Sequence, residues 1–350
     1  MKRFFVFLGV VFMTIGSAVS AQEVDSMAPL QKSSWGDAKT SEAAEYVPDI
    51  SLDARFGAWQ DFSDETGRFG GDGLYLDING KISPHLSYSL NHRIAAPYYG
   101  EASGFDATNW LTLTYEVGDF EVTMGKDALL VGSFEYDAYD LDSYYDMNSM
   151  FYNSFDCWQW GISMSWYPAE LHSVTFQVAN SPFSSGEPNL YSYAAAWRAE
   201  TELYESYWTA NLWQYDEKAY VKAINLGNRF HFGDFTIDVE YMTRAFENVK
   251  FFEDFTAILA PSYETDCFRY FAKVGLENSP DLFGYEDVTG KNYCFYGLGM
   301  EYFPIKGERN LRVHAAYSGN NFGMNIIEAG LTVKFDITGA AKSLFGSRNL

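Results

Sequence analysis

Short segments in which apolar and polar residues alternate make up most of this chain of 350 residues. In residues 235–244, for example, Phe, Ile, Val and Tyr side chains alternate with Thr, Asp and Glu side chains. A period of two places successive side chains on opposite faces of a β-strand. A long series of such strands, joined in turn by tight turns and by long polar loops, is typical of a closed β-barrel in an outer membrane.

The composition excludes one large class of membrane protein. Aromatic residues make up 18% of the chain, yet the mean hydropathy is -0.21. No apolar stretch of about 20 residues follows the N-terminus, which excludes a helical membrane protein. A barrel explains both facts, because only every second residue meets lipid and aromatic residues gather at the two interfaces. Two soluble β-domains are the alternative for a chain of this length.

The N-terminus has the pattern of a secretory signal. Lys2 and Arg3 precede an apolar core, residues 4–15, and small residues follow it. We therefore expect a signal peptide over residues 1–21 and export to a Gram-negative outer membrane. Residues 22–49 are rich in Ser, Ala, Asp and Glu without alternation, which predicts a short periplasmic segment.

The predicted fold class is all-β: a transmembrane antiparallel β-barrel of about sixteen strands. The barrel is predicted over residues 50–337, with a C-terminal tail at 338–350. Tight turns are predicted at residues 83–84, 118–119, 168–170, 233–234 and 303–310. Long loops are predicted at 96–107, 131–155, 181–192 and 246–265. Barrels of this type have even strand numbers, and the weakly patterned segment 282–288 is needed to reach sixteen.

The alternation also predicts which residues face the lumen. A polar lumen inside an apolar wall of about sixteen strands indicates a water-filled pore. Basic residues predicted to line it are Arg55, Arg93, Lys126, Arg198, Arg229, Arg244, Arg269, Lys273 and Arg312. Two interpretations stay open: these residues bias the pore towards anions, or they pair with lumen carboxylates and brace the wall.

Lys126 does not fit the simple alternation. It shares its parity with Val122 and Met124, which are predicted to face lipid, and a lysine in mid-bilayer costs about 2–4 kcal/mol. Either Gly125 marks a bulge that turns Lys126 into the lumen, or Lys126 lies close enough to the interface to reach lipid head groups. Glycine is common at bulges, which favours the first interpretation.

The loop after the fifth predicted strand, residues 131–155, is the most distinctive segment. It combines many Tyr and Phe residues with acidic residues, namely Glu135, Asp137, Asp140, Asp142 and Asp146. So many aromatic groups would not remain in water, so we expect this third long loop to fold inward and narrow the pore. The alternative is a surface loop whose carboxylates bind calcium.

Three stretches between residues 120 and 183 carry a family resemblance. They read GKDALLVGSFEYDAYDLDSYY, FDCWQWGISMSWYP and HSVTFQVANSPF. Together they resemble the phosphate-selective porin O and P family. The resemblance implies a sixteen-stranded, homotrimeric outer-membrane porin and places Lys126 as the basic strand residue before the loop. The family's phosphate selectivity rests on a basic ladder, whereas the third loop of this chain is acidic.

Several function classes are disfavoured. A net charge of -23 leaves no basic stripe for nucleic acid. The cysteines have no metal-like spacing and leave one unpaired in any disulfide scheme; they are Cys157, Cys267 and Cys294. None of the histidines lies in a nucleophile motif; they are His85, His92, His172, His231 and His314. We therefore predict no enzyme activity, no metal and no cofactor.

The predicted function is passive diffusion of small hydrophilic solutes or ions, including anions such as phosphate. The expected partners are outer-membrane lipid and lipopolysaccharide. At the pore we expect an acidic loop opposite basic wall residues, which gives a transverse field and weak net selectivity. The alternative function is a non-conducting outer-membrane barrel that acts as an adhesin or a ligand-binding surface protein.

Overall fold

A computed structural model describes residues 46–94, 107–138, 142–184, 189–279, 292–306 and 308–345. Within these residues, sixteen strands form a closed antiparallel barrel. Each strand pairs with its neighbours in sequence, and the first strand pairs with the last. The predicted fold class is therefore confirmed. The predictions made for residues 1–45 lie outside the described residues.

The elements have the following bounds. The strands of the first half are β1 (Asp49–Asp61), β2 (Thr66–Ser83), β3 (Leu86–Arg93), β4 (Thr108–Val117), β5 (Phe120–Ala128), β6 (Trp158–Ala169), β7 (His172–Asn180) and β8 (Tyr191–Glu200). Those of the second half are β9 (Tyr204–Asp216), β10 (Ala219–Phe232), β11 (Phe235–Phe246), β12 (Val249–Glu264), β13 (Phe268–Asn278), β14 (Asn292–Tyr302), β15 (Leu311–Asn320) and β16 (Asn325–Asp336). A short helix, α1 (Phe134–Asp137), lies between β5 and β6, and α2 (Ile337–Phe345) follows β16.

The two faces of the barrel wall differ as the alternation predicts. Along β4, for example, Thr112 is 7% exposed and its neighbour Leu113 is 48% exposed. Large apolar residues at alternate positions of the strands are exposed, including Leu111, Leu113, Tyr115, Trp160, Ile162, Met164, Trp166, Ile327 and Phe335. Closure of the sheet pairs the backbone groups of every strand, which is what a lipid environment demands.

The two ends of the barrel also differ. The connections 84–85, 118–119, 170–171 and 233–234 lie at the end where β1 begins and β16 finishes. The long connection 129–157, between β5 and β6, lies at the opposite end. The short-turn end corresponds to the periplasmic side in barrels of this type. Among the described residues, no helix has the length and apolar character needed to cross a membrane.

One predicted loop is wrong. Residues 246–265 contain strand β12, and this strand completes the sixteen without the segment 282–288, which lies outside the described residues. Two features conceal the strand in the sequence: the acidic pair at residues 253–254 and Pro261. Proline has no N–H to donate, and the β12–β13 pairing passes from Leu259 to Ser262 without residues 260 and 261.

The seam between β1 and β16 depends on a close approach of two glycines. Gly57 lies opposite Gly330 in the register. A Cβ atom added to Gly57 would lie 2.2 Å from the carbonyl oxygen of Ala329. Gly70 lies opposite Gly57 on the other side, in β2, and a Cβ atom there meets nothing within 4 Å.

We expect Gly57→Val to destabilise the barrel by about 1–3 kcal/mol, because the side chain forces the seam apart. Urea unfolding of the protein in lipid vesicles, followed by tryptophan fluorescence, measures the change. Gly70→Val is the matched control and should unfold at nearly the wild-type urea concentration. Equal losses in the two variants would contradict the close approach at the seam.

Candidate functional site

The connection 129–157 crosses the interior of the barrel. Near its start, the carbonyl oxygen of Val131 accepts a hydrogen bond from Thr209 Oγ1 of β9, at 2.9 Å. Further along, the carbonyl oxygen of Ser143 accepts one from Arg55 Nη1 of β1, at 2.7 Å. In a ring of sixteen strands, β1 and β9 stand on opposite sides. The loop therefore spans the lumen.

An apolar cluster inside the barrel holds the loop. Phe151 of the loop and Trp213 of β9 are both fully buried, with ring centroids 5.9 Å apart. We call the buried wall residues of this cluster the apolar seat: Trp213, Val221, Ala223, Met242, Ile258, Tyr293 and Phe295. These inward-facing residues were not predicted. The signal that could have found them is the break in alternation, where apolar residues occupy both faces of a strand.

Two buried carboxylates bind the loop backbone and side chains. Glu277 of β13 accepts hydrogen bonds from the backbone N–H groups of Met150 and Phe151, at 2.6 and 3.2 Å. Glu135 of the loop accepts from the Ser149 N–H at 2.9 Å and pairs with Lys273 Nζ at 3.1 Å. Such charge-assisted hydrogen bonds are stronger than neutral ones, so they fix the position of the loop in the lumen.

The acidic residues of the loop contact basic residues of the wall. Besides the pair of Glu135 with Lys273, Asp137 pairs with Arg198. Asp142 pairs in the same way with Arg312. These opposite charges touch, whereas the expectation from sequence was an acidic loop opposite basic wall residues with a transverse field between them. A touching pair has a small dipole and produces little field across the pore.

Other predicted basic residues pair with carboxylates of the wall itself. Arg229 makes two hydrogen bonds to Asp238, at 2.7 and 2.9 Å. Arg244 and Asp254 are fully buried and 2.5 Å apart. Arg269 Nη1 lies 3.5 Å from Glu301. These contacts support the interpretation in which basic residues brace the wall.

Arg55 contacts the loop. Its guanidinium group lies over the ring of the loop residue Tyr144, 4.4 Å from the ring centroid.

Lys126 is turned away from the exposed face of its strand. It is 5% exposed, whereas its register partners Leu111 and Trp160 are 37% and 41% exposed. Gly125 has φ +142°, a conformation that L side chains rarely adopt. The pairing of β4 with β5 continues without a register shift. The glycine conformation, rather than an inserted bulge residue, therefore accompanies the burial of Lys126.

The remaining predicted site residues lie as follows. Arg93 ends β3, is partly buried and lies opposite Tyr75 in the register. Asp146 accepts a hydrogen bond from Trp59 Nε1 of β1 at 3.3 Å. Asp140 lies outside the described residues. Within the described part of the chain, no group of three or more His, Cys, Asp or Glu residues is placed to hold a metal ion.

A row of hydroxyl groups crosses the wall formed by β3 to β6. Ser87, Thr114, Thr123 and Ser163 are consecutive register partners on these four strands. Thr114 Oγ1 and Thr123 Oγ1 are 2.9 Å apart. The loop contacts above lie on β1 and on β8 to β15, so this polar row faces the lumen on another side.

A cavity of about 380 Å³ opens below the loop, at the short-turn end. Charged side chains of both signs line it, including Asp53, Arg269, Glu301, Arg309, Arg312 and Lys334. Lys334 is half-exposed and lies 3.9 Å from the buried Asp53. The lumen at this level therefore remains open to water.

We expect Phe151→Ala to weaken the loop anchor by about 3–5 kcal/mol, because it leaves a cavity against the apolar seat. Hydrogen–deuterium exchange of the peptide around residues 143–157 should become faster, while exchange in the strands stays unchanged. Asn153→Ala, an exposed position in the same loop, is the control. Unaltered exchange in Phe151→Ala would show that the seat does not hold the loop.

Comparison with known proteins gives a family match over part of the chain, and a fold. The family model described as phosphate-selective porin O and P matches residues 49–218. No curated protein matches the chain. One similar solved structure is a mutant of the porin of Rhodopseudomonas blastica, with 11% identity and a TM-score of 0.58. A second mutant of that porin has 12% identity and a TM-score of 0.57. Each comparison covers 83% of this chain and 100% of the other.

Proposed function

We propose, from the match of residues 49–218 to the phosphate-selective porin O and P family and from the barrel fold, that this chain is an outer-membrane porin. Small hydrophilic solutes and ions diffuse through it passively. The observation that carries the proposal is a loop that spans the lumen and is tied to opposite walls, by Thr209 and by Arg55. A loop held in this way narrows a channel and fixes its size.

The solute path lies between the loop and the polar row on β3 to β6. Hydroxyl groups on one side and charged groups on the other replace part of the hydration of a passing solute. Below the loop, the path enters the charged cavity at the short-turn end. Residues 131–155 are the constriction in this proposal.

Phosphate is a candidate solute because the family that residues 49–218 match is described as phosphate-selective. The described contacts favour a general solute over a dedicated phosphate site. Arg198, Lys273 and Arg312 all contact loop carboxylates, and these carboxylates occupy the place that a phosphate would take. To bind these basic residues, a phosphate ion has to displace loop carboxylates that belong to the same chain.

The proposal also includes the setting of the pore. A signal peptide over residues 1–21 directs export, and residues 22–49 lie in the periplasm. Residues 338–350 form a C-terminal extension, which begins in α2. The barrel works as a homotrimer in contact with outer-membrane lipid and lipopolysaccharide. The family and the barrel fold support this arrangement.

We expect the purified protein to produce stepwise conductance in planar lipid bilayers, because water and ions enter a polar lumen. Liposomes that contain it should swell in neutral sugars, at rates that fall as the sugar becomes larger. Protein denatured by heat before reconstitution is the control. A folded barrel that neither conducts nor swells liposomes would favour the ligand-binding barrel instead.

A further inference from the structure

The loop that spans the lumen carries charge of one sign only. Between Leu129 and Cys157 the sequence has six acidic residues and no basic residue. The acidic residues are Glu135, Asp137, Asp140, Asp142, Asp146 and Asp156. Any positive charge that neutralises the loop must therefore come from basic residues of the barrel wall.

Six basic wall residues contact the described parts of the loop. Three of them pair with loop carboxylates: Arg198, Lys273 and Arg312. The other three contact the loop in different ways. Arg55 donates to the Ser143 carbonyl oxygen, and Arg229 and Arg244 lie over the rings of Phe134 and Phe151, at 4.1 and 4.0 Å.

The wall supplies carboxylates as well as bases, so it cannot neutralise the loop. Five wall carboxylates contact these bases or the loop backbone: Glu205, Asp238, Asp254, Glu277 and Glu301. Arg312, for example, is shared between Asp142 and Glu301. Among the described residues, ten carboxylates therefore stand against seven bases around the loop, since Arg269 pairs with Glu301 and is counted with the six. The excess survives even when one of the buried wall carboxylates, such as Glu277, carries a proton.

We propose that the opening beside the loop selects for cations over anions. This inference rests on the proposed function, since selectivity requires a conducting pore. Acidic rings favour cations in narrow pores, and fixed charges act on ions within a screening length of about 8 Å. The paired bases add no anion site, because a carboxylate already contacts each of their charged groups.

Two bases that line the cavity at the short-turn end, Arg309 and Lys334, lie outside this balance and work against it. Their side chains are 39% and 54% exposed, and they pair with Glu264 and Asp53 respectively. Their charges lie at the wider mouth below the loop, where water screens them more strongly than in the constriction. The constriction therefore sets the sign of the selectivity.

The test is the reversal potential of the full-length protein in planar bilayers under a tenfold gradient of KCl. We expect a K⁺ to Cl⁻ permeability ratio of at least about three for the wild-type channel. A conducting channel with a ratio near one, or below one, overturns the cation preference and leaves the porin function intact. Absence of conductance overturns the porin function itself.

Charge variants locate the selectivity. Neutralising three loop acids together, with Asp137→Asn, Asp142→Asn and Asp146→Asn, should bring the ratio towards one. The double variant Lys306→Gln with Asp266→Asn removes one charge of each sign from an exposed ion pair at the short-turn end and should leave the ratio unchanged.

A second control removes acidic charge at the rim. Asp64→Asn with Glu65→Gln neutralises two exposed acids in the connection between β1 and β2. The ratio should change far less than in the loop variant. An equal change in both variants overturns the assignment to the loop. The wild-type ratio decides the sign of the selectivity even where a loop variant fails to fold.

Discussion

Closure of the sheet between β1 and β16 is the constraint on which the rest of the molecule depends. Lipid offers no partner to an unpaired N–H or C=O group, so a strand in the membrane must be paired on both edges. An antiparallel ring meets that demand with an even number of strands, which brings both ends of the chain to one side. The short turns share that side, and the long connection 129–157 is left to the other.

The interior of the barrel then has to solve a different problem. A lumen lined only with polar groups would leave a wide opening, and here the space is divided by a loop. The apolar seat on β9 to β14 holds the loop as a hydrophobic core would, around Phe151. Glu277 binds the adjacent backbone N–H groups, which would otherwise be buried without partners. The result combines a packed core on one side with a polar wall on the other.

The fold could be predicted from the sequence because the period of two acts residue by residue. Prediction failed at β12, where Pro261 and residues 253–254 interrupt the pattern that the neighbouring strands nevertheless enforce. The charged site was predictable as a set of residues but not as a set of pairs. That Asp137 meets Arg198, and Asp142 meets Arg312, depends on the path of the loop, which no local pattern specifies. The apolar seat was missed because alternation assigns every inward position to water.

Arg55 links two parts of the molecule that are far apart in the sequence. Its Nε lies 3.4 Å from Thr332 Oγ1 on β16, and its Nη1 binds the Ser143 carbonyl oxygen of the loop. The same guanidinium thus bridges the seam that closes the barrel and the loop that crosses the lumen. A substitution at residue 55 therefore reaches the closure of the wall and the position of the loop together, so the two are not set independently.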